Sequence, residues 1–201
     1  MFDINKENKI FIIIVAGLAG SGKTTIGKKI AKNFKWFYLD KDSLSRRFTE
    51  AMLMEKKLKI GDRESDYYGE IINPIEYKTL MDIAIENAKL GMHSILSAPF
   101  LMQFKNNEWF EAVEKKLDFL KQDVLVKKIW VKANRDIERI RLIERGAERD
   151  KGKLRNWGEY CENVKLIDPT SKFNDIYEFH NEDNGYNLSE KIEELNKWIQ
   201  K

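Results

Sequence analysis

Ile10-Phe11-Ile12-Ile13-Ile14-Val15-Ala16 runs directly into Gly17-Leu18-Ala19-Gly20-Ser21-Gly22-Lys23-Thr24-Thr25. The first part is an unbroken apolar and mostly β-branched run, the pattern of a central parallel strand covered on both faces. Gly17 to Thr24 match G-x-x-x-x-G-K-[ST]. Glycines let the backbone curl until successive N–H groups point at phosphate oxygens, which side chains would obstruct. From Lys23 the pattern turns helical, with Ile26, Ile30, Ala31 and Phe34 on one face. The new helix adds its N-terminal dipole and unpaired N–H groups. Lys23 is suited to neutralise the β and γ phosphates, and the Thr24 hydroxyl to ligate Mg²⁺. The expected ligands are ATP, or another nucleoside triphosphate, and Mg²⁺. Gly17, Ala19, Gly20, Ser21, Gly22, Lys23, Thr24 and Thr25 are the residues expected to hold them.

Beyond this motif, strands alternate with helices. Short apolar runs at Trp36–Leu39, Ser94–Ser97, Val124–Val131 and Ile176–His180 read as further strands. Between them, Ser43–Leu58, Pro74–Leu90, Phe104–Leu120, Asn134–Glu148 and Leu188–Ile199 read as helices, with Gly91 closing the second of these. The alternation predicts a three-layer α/β fold around a parallel sheet. No repeat, low-complexity tract or linker interrupts it, so residues 1–201 read as one domain, with a lid segment at about 134–158.

Composition sets the class. A 201-residue chain with 42% hydrophobic and 34% charged residues is that of a globular domain, not a disordered one. A net charge of +3 makes no global demand for nucleic acid or an anionic membrane. The apolar run Ile10–Ala19 is too short to span a bilayer and leads into the glycine motif rather than a cleavage site. The lone Cys161 fits a reducing compartment. A cytoplasmic protein, monomeric or homodimeric and without a membrane partner, is expected.

Asp40 and Asp42 follow the second strand, where the strand ends of such a sheet open onto the triphosphate. A carboxylate there can orient an acceptor hydroxyl and take its proton; Asp42 can equally cap the next helix. Arg141, Arg145 and Arg149 recur at i, i+4 and i+8 after the fourth strand, sharing one face if the helix runs through them. Guanidinium forks suit the oxygens of a transferring phosphoryl group. Glu138, Glu144 and Glu148 offer the alternative of a solvated, ion-paired face. Ser97 stands where many phosphate-binding sheets carry a magnesium-shell aspartate, which argues against a motor-type ATPase. His93, His180 and the aromatics Phe100, Phe104, Trp109 and Phe110 read as structural.

With these residues in view, the sequence resembles the small P-loop kinases, a group that includes polynucleotide 5′-kinase, gluconate and shikimate kinases, chloramphenicol phosphotransferase and zeta-toxin-like kinases. The resemblance covers most of the chain and is carried by residues 17–25, 39–48, 62–68, 94–100 and the arginine-rich stretch to Asp150. It implies sheet order 2-3-1-4-5 and γ-phosphoryl transfer to a hydroxyl of a small molecule such as a sugar, nucleoside or antibiotic. Lys23, Asp42, Arg145 and Arg149 would be catalytic, with Arg141 contacting ATP. Asp40, Asp42, Arg46 and Arg63 would meet the acceptor, Asp42 as its activating base. Polynucleotide kinase has adjacent aspartates followed by arginine, whereas Arg46 is displaced here.

Two other functions are compatible with the chain. Residues 127–155 carry eleven Lys/Arg against five Asp/Glu, near Trp130 and Trp157, as a single-stranded nucleic-acid groove would. A regulatory nucleotide-binding ATPase module is the other, though the aspartate and arginine placement argues against it.

Overall fold

The central strand β1 (Ile10–Gly17) is buried on both faces. Ile12, Ile14 and Ala16 enter one core layer; Ile13 and Val15 enter the other. Burying each isoleucine contributes about 2 kcal/mol, so the strand anchors the domain. The computed structural model describes residues 9–105, 107–120, 123–165, 169, 173, 175–182 and 187–200.

On either side of β1 lie β3 (Ser94–Ser97) and β4 (Val124–Lys132). The edges are β2 (Phe37–Asp40) and β5 (Ile176–His180). The order is β2-β3-β1-β4-β5, and every pairing is parallel. The fold is therefore the expected one. Asp40 is in register with Ser97, and Ser97 with Val15, so three C-terminal strand ends open side by side. From β1 the chain passes to the β2 edge, whereas from β3 it crosses past β1 to β4; the connections thus leave the neighbours β1 and β3 toward opposite sides, and ligand crevices of open α/β sheets form at such a point.

Helices α1 (Lys23–Phe34) and α9 (Leu188–Ile199) cover the face that holds Ile13 and Val15. The opposite face is covered by α3 (Asn73–Lys89), α4 (Leu101–Lys105), α5 (Glu108–Asp118) and α8 (Trp157–Lys165). Helix α2 (Lys41–Glu55) follows β2, and a π-helical turn, Tyr67–Ile72, leads into α3. Helix α6 (Arg135–Arg145), a 3₁₀ turn (Glu148–Asp150) and α7 (Lys151–Arg155) make up the segment after β4.

Three local expectations need correction. Helix α2 begins at Lys41 rather than Ser43, because Asp40 caps it by accepting from the Ser43 N–H at 2.9 Å. The cap is thus Asp40 and not Asp42. Phe104–Leu120 is two helices rather than one, with Asn107, a residue type that competes with helical backbone, standing before α5. Helix α6 stops at Arg145, where Gly146 turns left-handed (φ 59°) and its N–H closes onto Leu142 O and Ile143 O. Arg149 therefore lies outside the helix, and the three arginines do not share a face.

Candidate active site

The loop after β1 is shaped by glycine at positive φ: 85° at Gly20 and 93° at Gly22. Obstruction lies on its outer flank. A Cβ on Gly20 would stand 2.5 Å from Glu138 O, and one on Gly22 would strike the Asn181 amide. The loop is thus sandwiched between α6 and the end of β5. Arg141 continues the brace, with Nη1 donating to Gly20 O and Ser21 O (3.3 Å each) and Nη2 to Asn181 O (3.1 Å). Asn181 Nδ2 donates to Ser21 O at 2.8 Å. Carbonyls held outward in this way leave the N–H groups of Gly20, Gly22, Lys23 and Thr24 without a partner among the described residues. These amides, at the start of α1, fit a triphosphate.

Lys23 Nζ folds back onto Leu18 O (3.3 Å). Burial lowers its ammonium to about 8, Asp42 and Asp40 oppose the shift, and Arg145 and Arg149 add to it. Thr24 and Thr25 are exposed at the head of α1. A hydroxyl corner lies beside them. Ser97 Oγ is buried next to Asp40 across the strands and beside the Tyr38 hydroxyl, which also reaches Asp40 Oδ2 at 3.5 Å. Burial, aided by Asp40, pushes the Tyr38 hydroxyl up to about 12, so it stays protonated as a donor. No cluster of three or more His, Cys, Asp or Glu occurs among the described residues. The oxygen donors Thr24 and Ser97, with phosphate oxygens, are nevertheless the hard-ligand set that Mg²⁺ prefers.

Asp42 sits in the first turn of α2 and lines a crevice of about 290 Å³ together with Lys23, Arg63, Tyr68, Arg145 and Arg149. Arg149 Nη1 lies 2.7 Å from Asp42 Oδ2, and Lys41 Nζ 3.4 Å from Oδ1. Burial works to raise this carboxyl, but Lys41, Arg149 and Lys23 outweigh it and hold it below the usual range. Arg145 forks onto buried Asp150 (Nε 2.9 Å, Nη2 2.5 Å). Arg63 donates to Ile60 O and Asp62 O and stacks over Tyr68 at 4.9 Å. Arg46 is exposed on α2 and does not line the crevice.

Beneath Asp42 is a buried polar cluster that pattern reading did not find. The Glu76 carboxylate receives Ser45 Oγ (2.7 Å), Thr49 Oγ1 (2.6 Å), the Tyr68 hydroxyl (2.9 Å) and Lys41 Nζ. This ties α2 to α3 and the π-helical turn. Lys153 was also missed. It lines the crevice, donates to Arg149 O (3.1 Å), and burial lowers its ammonium. His93 and His180 lie elsewhere. His93 Nδ1 accepts the Phe11 N–H and its ring stacks on Trp36, while exposed His180 pairs with Glu178. Phe100, Phe104 and Phe110 are core, with Trp109 packed against them. Among the described residues no helix is long and apolar enough to cross a membrane.

The sequence matches the AAA domain family AAA_33 over residues 12–166. No curated protein matches it. Among solved structures it is similar to a sugar kinase from Janibacter sp. HTCC2649 (14% identity, TM-score 0.60, 96% of this chain and 95% of that one). It is also similar to a gluconokinase from Sinorhizobium meliloti 1021 (11%, 0.57, 97% and 94%). A third is shikimate kinase from Bacteroides thetaiotaomicron (16%, 0.56, 96% and 99%). At these identities the likeness is one of fold.

Proposed function

Because this chain belongs to the AAA domain family AAA_33, and its fold is that of the P-loop kinases, we propose that it is an ATP-dependent phosphotransferase. In this reading it moves the γ-phosphoryl group to a hydroxyl of a small molecule. One observation carries the proposal: the Asp42 carboxylate shares a crevice with Lys23 and lies 2.7 Å from Arg149. A carboxylate that served only the fold would not need to face the phosphate loop and an arginine at once.

In the proposed mechanism the amides of Gly20, Gly22, Lys23 and Thr24 bind the triphosphate, and Lys23 Nζ leaves Leu18 O for the β and γ oxygens. Thr24 and Ser97 would hold Mg²⁺, with Asp40 beside them; the ion neutralises charge on the phosphates when bound. Asp42 orients the acceptor hydroxyl toward the γ-phosphorus and takes its proton. Its depressed pKa suits a loose transition state, in which the hydroxyl loses its proton late and the carboxylate mainly aligns it. Arg149 exchanges Asp42 for the transferring phosphoryl group, and Arg145, steadied by Asp150, adds a second guanidinium. The segment at about 134–158 acts as the lid that excludes water.

A screen of sugars, nucleosides and antibiotics with ATP, comparing wild type with Asp42→Asn, tests this. Acceptor-dependent ADP release should fall about 10²- to 10⁴-fold in the variant, the range for removing a general base, while ATP affinity is kept. Hydrolysis that needs no acceptor and ignores the substitution would refute the proposal.

A further inference from the structure

A second cavity, about 660 Å³, lies outside the crevice, between the turn after α2 and the 148–155 segment. It shares Arg63 and Arg149 with the crevice, so those two side chains border both spaces. Its walls are closely fitted. A Cβ on Gly61 would stand 3.0 Å from Glu148 Cγ, and one on Gly152 would overlap the Glu64 carboxylate. The groove is lined by Lys57, Lys59, Arg63, Arg149, Lys151 and Arg155 against Asp62, Glu64 and Glu148.

The carboxylates are largely engaged. Asp62 accepts the N–H groups of Glu64 and Ser65 at 2.9 and 3.0 Å. Glu148 pairs with Lys151, and Glu64 packs against Gly152. Lys57, Lys59 and Arg155 are exposed and have no carboxylate partner among the described residues, and Arg63 donates to backbone carbonyls and stacks on a ring, with the Asp62 carboxylate acting on it only through space. A cavity with six cations, of which only Arg149 and Lys151 form carboxylate ion pairs among the described residues, and which borders the crevice at Arg63 and Arg149, calls for an anion.

Building on the phosphotransferase reading, we propose that the acceptor is a small hydroxyl compound carrying a phosphate or carboxylate group. Its hydroxyl enters the crevice at Asp42, and its anionic end lies in the outer groove against Lys57, Lys59 and Arg155, with Arg63 at the junction. The groove selects the acceptor by charge, and the crevice performs the transfer.

The full chain, saturated with Mg²⁺ and a non-hydrolysable ATP analogue, is titrated calorimetrically with matched probes: ribose against ribose 5-phosphate, and glucose against gluconate. The charged member of at least one pair should bind ten-fold or more tightly than its neutral partner, and the pair identifies phosphate or carboxylate as the preferred anion. K57E/K59E/R155E should abolish that preference, and K57Q/K59Q/R155Q should reduce it, with analogue affinity unchanged in both. The proposal is overturned by equal binding within both pairs, by no binding of any probe, or by a preference that survives both variants. A 5′-hydroxyl oligonucleotide that outbinds every small probe with steep salt dependence also overturns it, in favour of a nucleic-acid acceptor. Failure here with Asp42-dependent transfer intact removes only the anionic acceptor; loss of Asp42 dependence removes the kinase reading itself.

Discussion

Replacing Lys41 by Met should destabilise the domain by about 3 kcal/mol or more, the cost of stranding one member of a buried ion pair. Lys41 and Glu76 are each 4% exposed, and Glu76 would keep only the Tyr68, Ser45 and Thr49 hydroxyls. Glu76→Leu should cost about 3–5 kcal/mol, because it takes the acceptor from Thr49 and Tyr68 and leaves Lys41 only the Asp42 carboxylate at 3.4 Å. In a domain of this size each kcal/mol lowers Tm by about 2–4 °C, so losses of roughly 6–20 °C are expected. The double variant Lys41→Met/Glu76→Leu should lose far less than the sum, since neither charge is left alone. Urea unfolding and calorimetry at pH 7 would measure all three. Additive losses, or a Lys41→Met cost below about 1 kcal/mol, would refute the network as the tie between α2 and α3.

The same pair fixes a pH window. Burial tends to raise Glu76, but Lys41 and the hydroxyl donors hold it below its ordinary 4.5. Burial tends to lower Lys41, but Asp42 and Glu76 hold it above its ordinary 10.5. The Glu76 contribution is therefore complete above about pH 4.5 and lost as pH falls through its folded pKa. The Lys41 contribution is complete below about pH 10.5 and lost as pH rises through its own. Wild type should exceed the two single variants most near neutral pH, with the margin shrinking as pH approaches either limit and lost outside them.

Two further outcomes are expected. With the Lys23 ammonium lowered to about 8, roughly half of it is neutral at pH 8, so triphosphate binding there should take up about half a proton. Calorimetry in buffers of different ionisation enthalpy would read this, with uptake near zero at pH 6 and none in Lys23→Met; equal uptake in that variant would assign the proton elsewhere. Gly20→Ala, forced into φ 85° with its Cβ against Glu138 O, should cost on the order of 2 kcal/mol or more in denaturant unfolding. Wild-type stability would show that α6 does not press on the loop.

The sheet was legible because its strands are short, mostly apolar runs between helical stretches, and the β-branched run leading into the glycine motif fixes which one is central. Burial on both faces makes Ile10–Ala16 a continuous run, and no helix of comparable length competes for it. The arginine spacing misled because Gly146 ends α6 between Arg145 and Arg149, and only a left-handed residue reveals that break. Asp40 and Asp42 were recognisable as a pair, but their division into cap and crevice carboxylate depends on where α2 starts. The Glu76 cluster was illegible for a different reason. Its members are 8 to 35 residues from Glu76 and form no local period. Asn181 and Lys153 likewise acquire meaning only from what the fold brings beside them.

The seating of Gly20 against Glu138 gives α6 a mechanical role. The helix is pinned at its first turn to the phosphate loop and carries Arg145 at its far end, about 10 Å further along at 1.5 Å per residue. A rod hinged in that way converts angle into displacement: a tilt of about 10° moves Arg145 by roughly 2 Å. With Arg141 bonded to the carbonyls of Gly20 and Ser21, a change in the curl of the loop turns the pivot itself. In the proposed mechanism, filling the loop with phosphate and aiming Arg145 are then two ends of one lever, and a substitution at either end should be felt at the other.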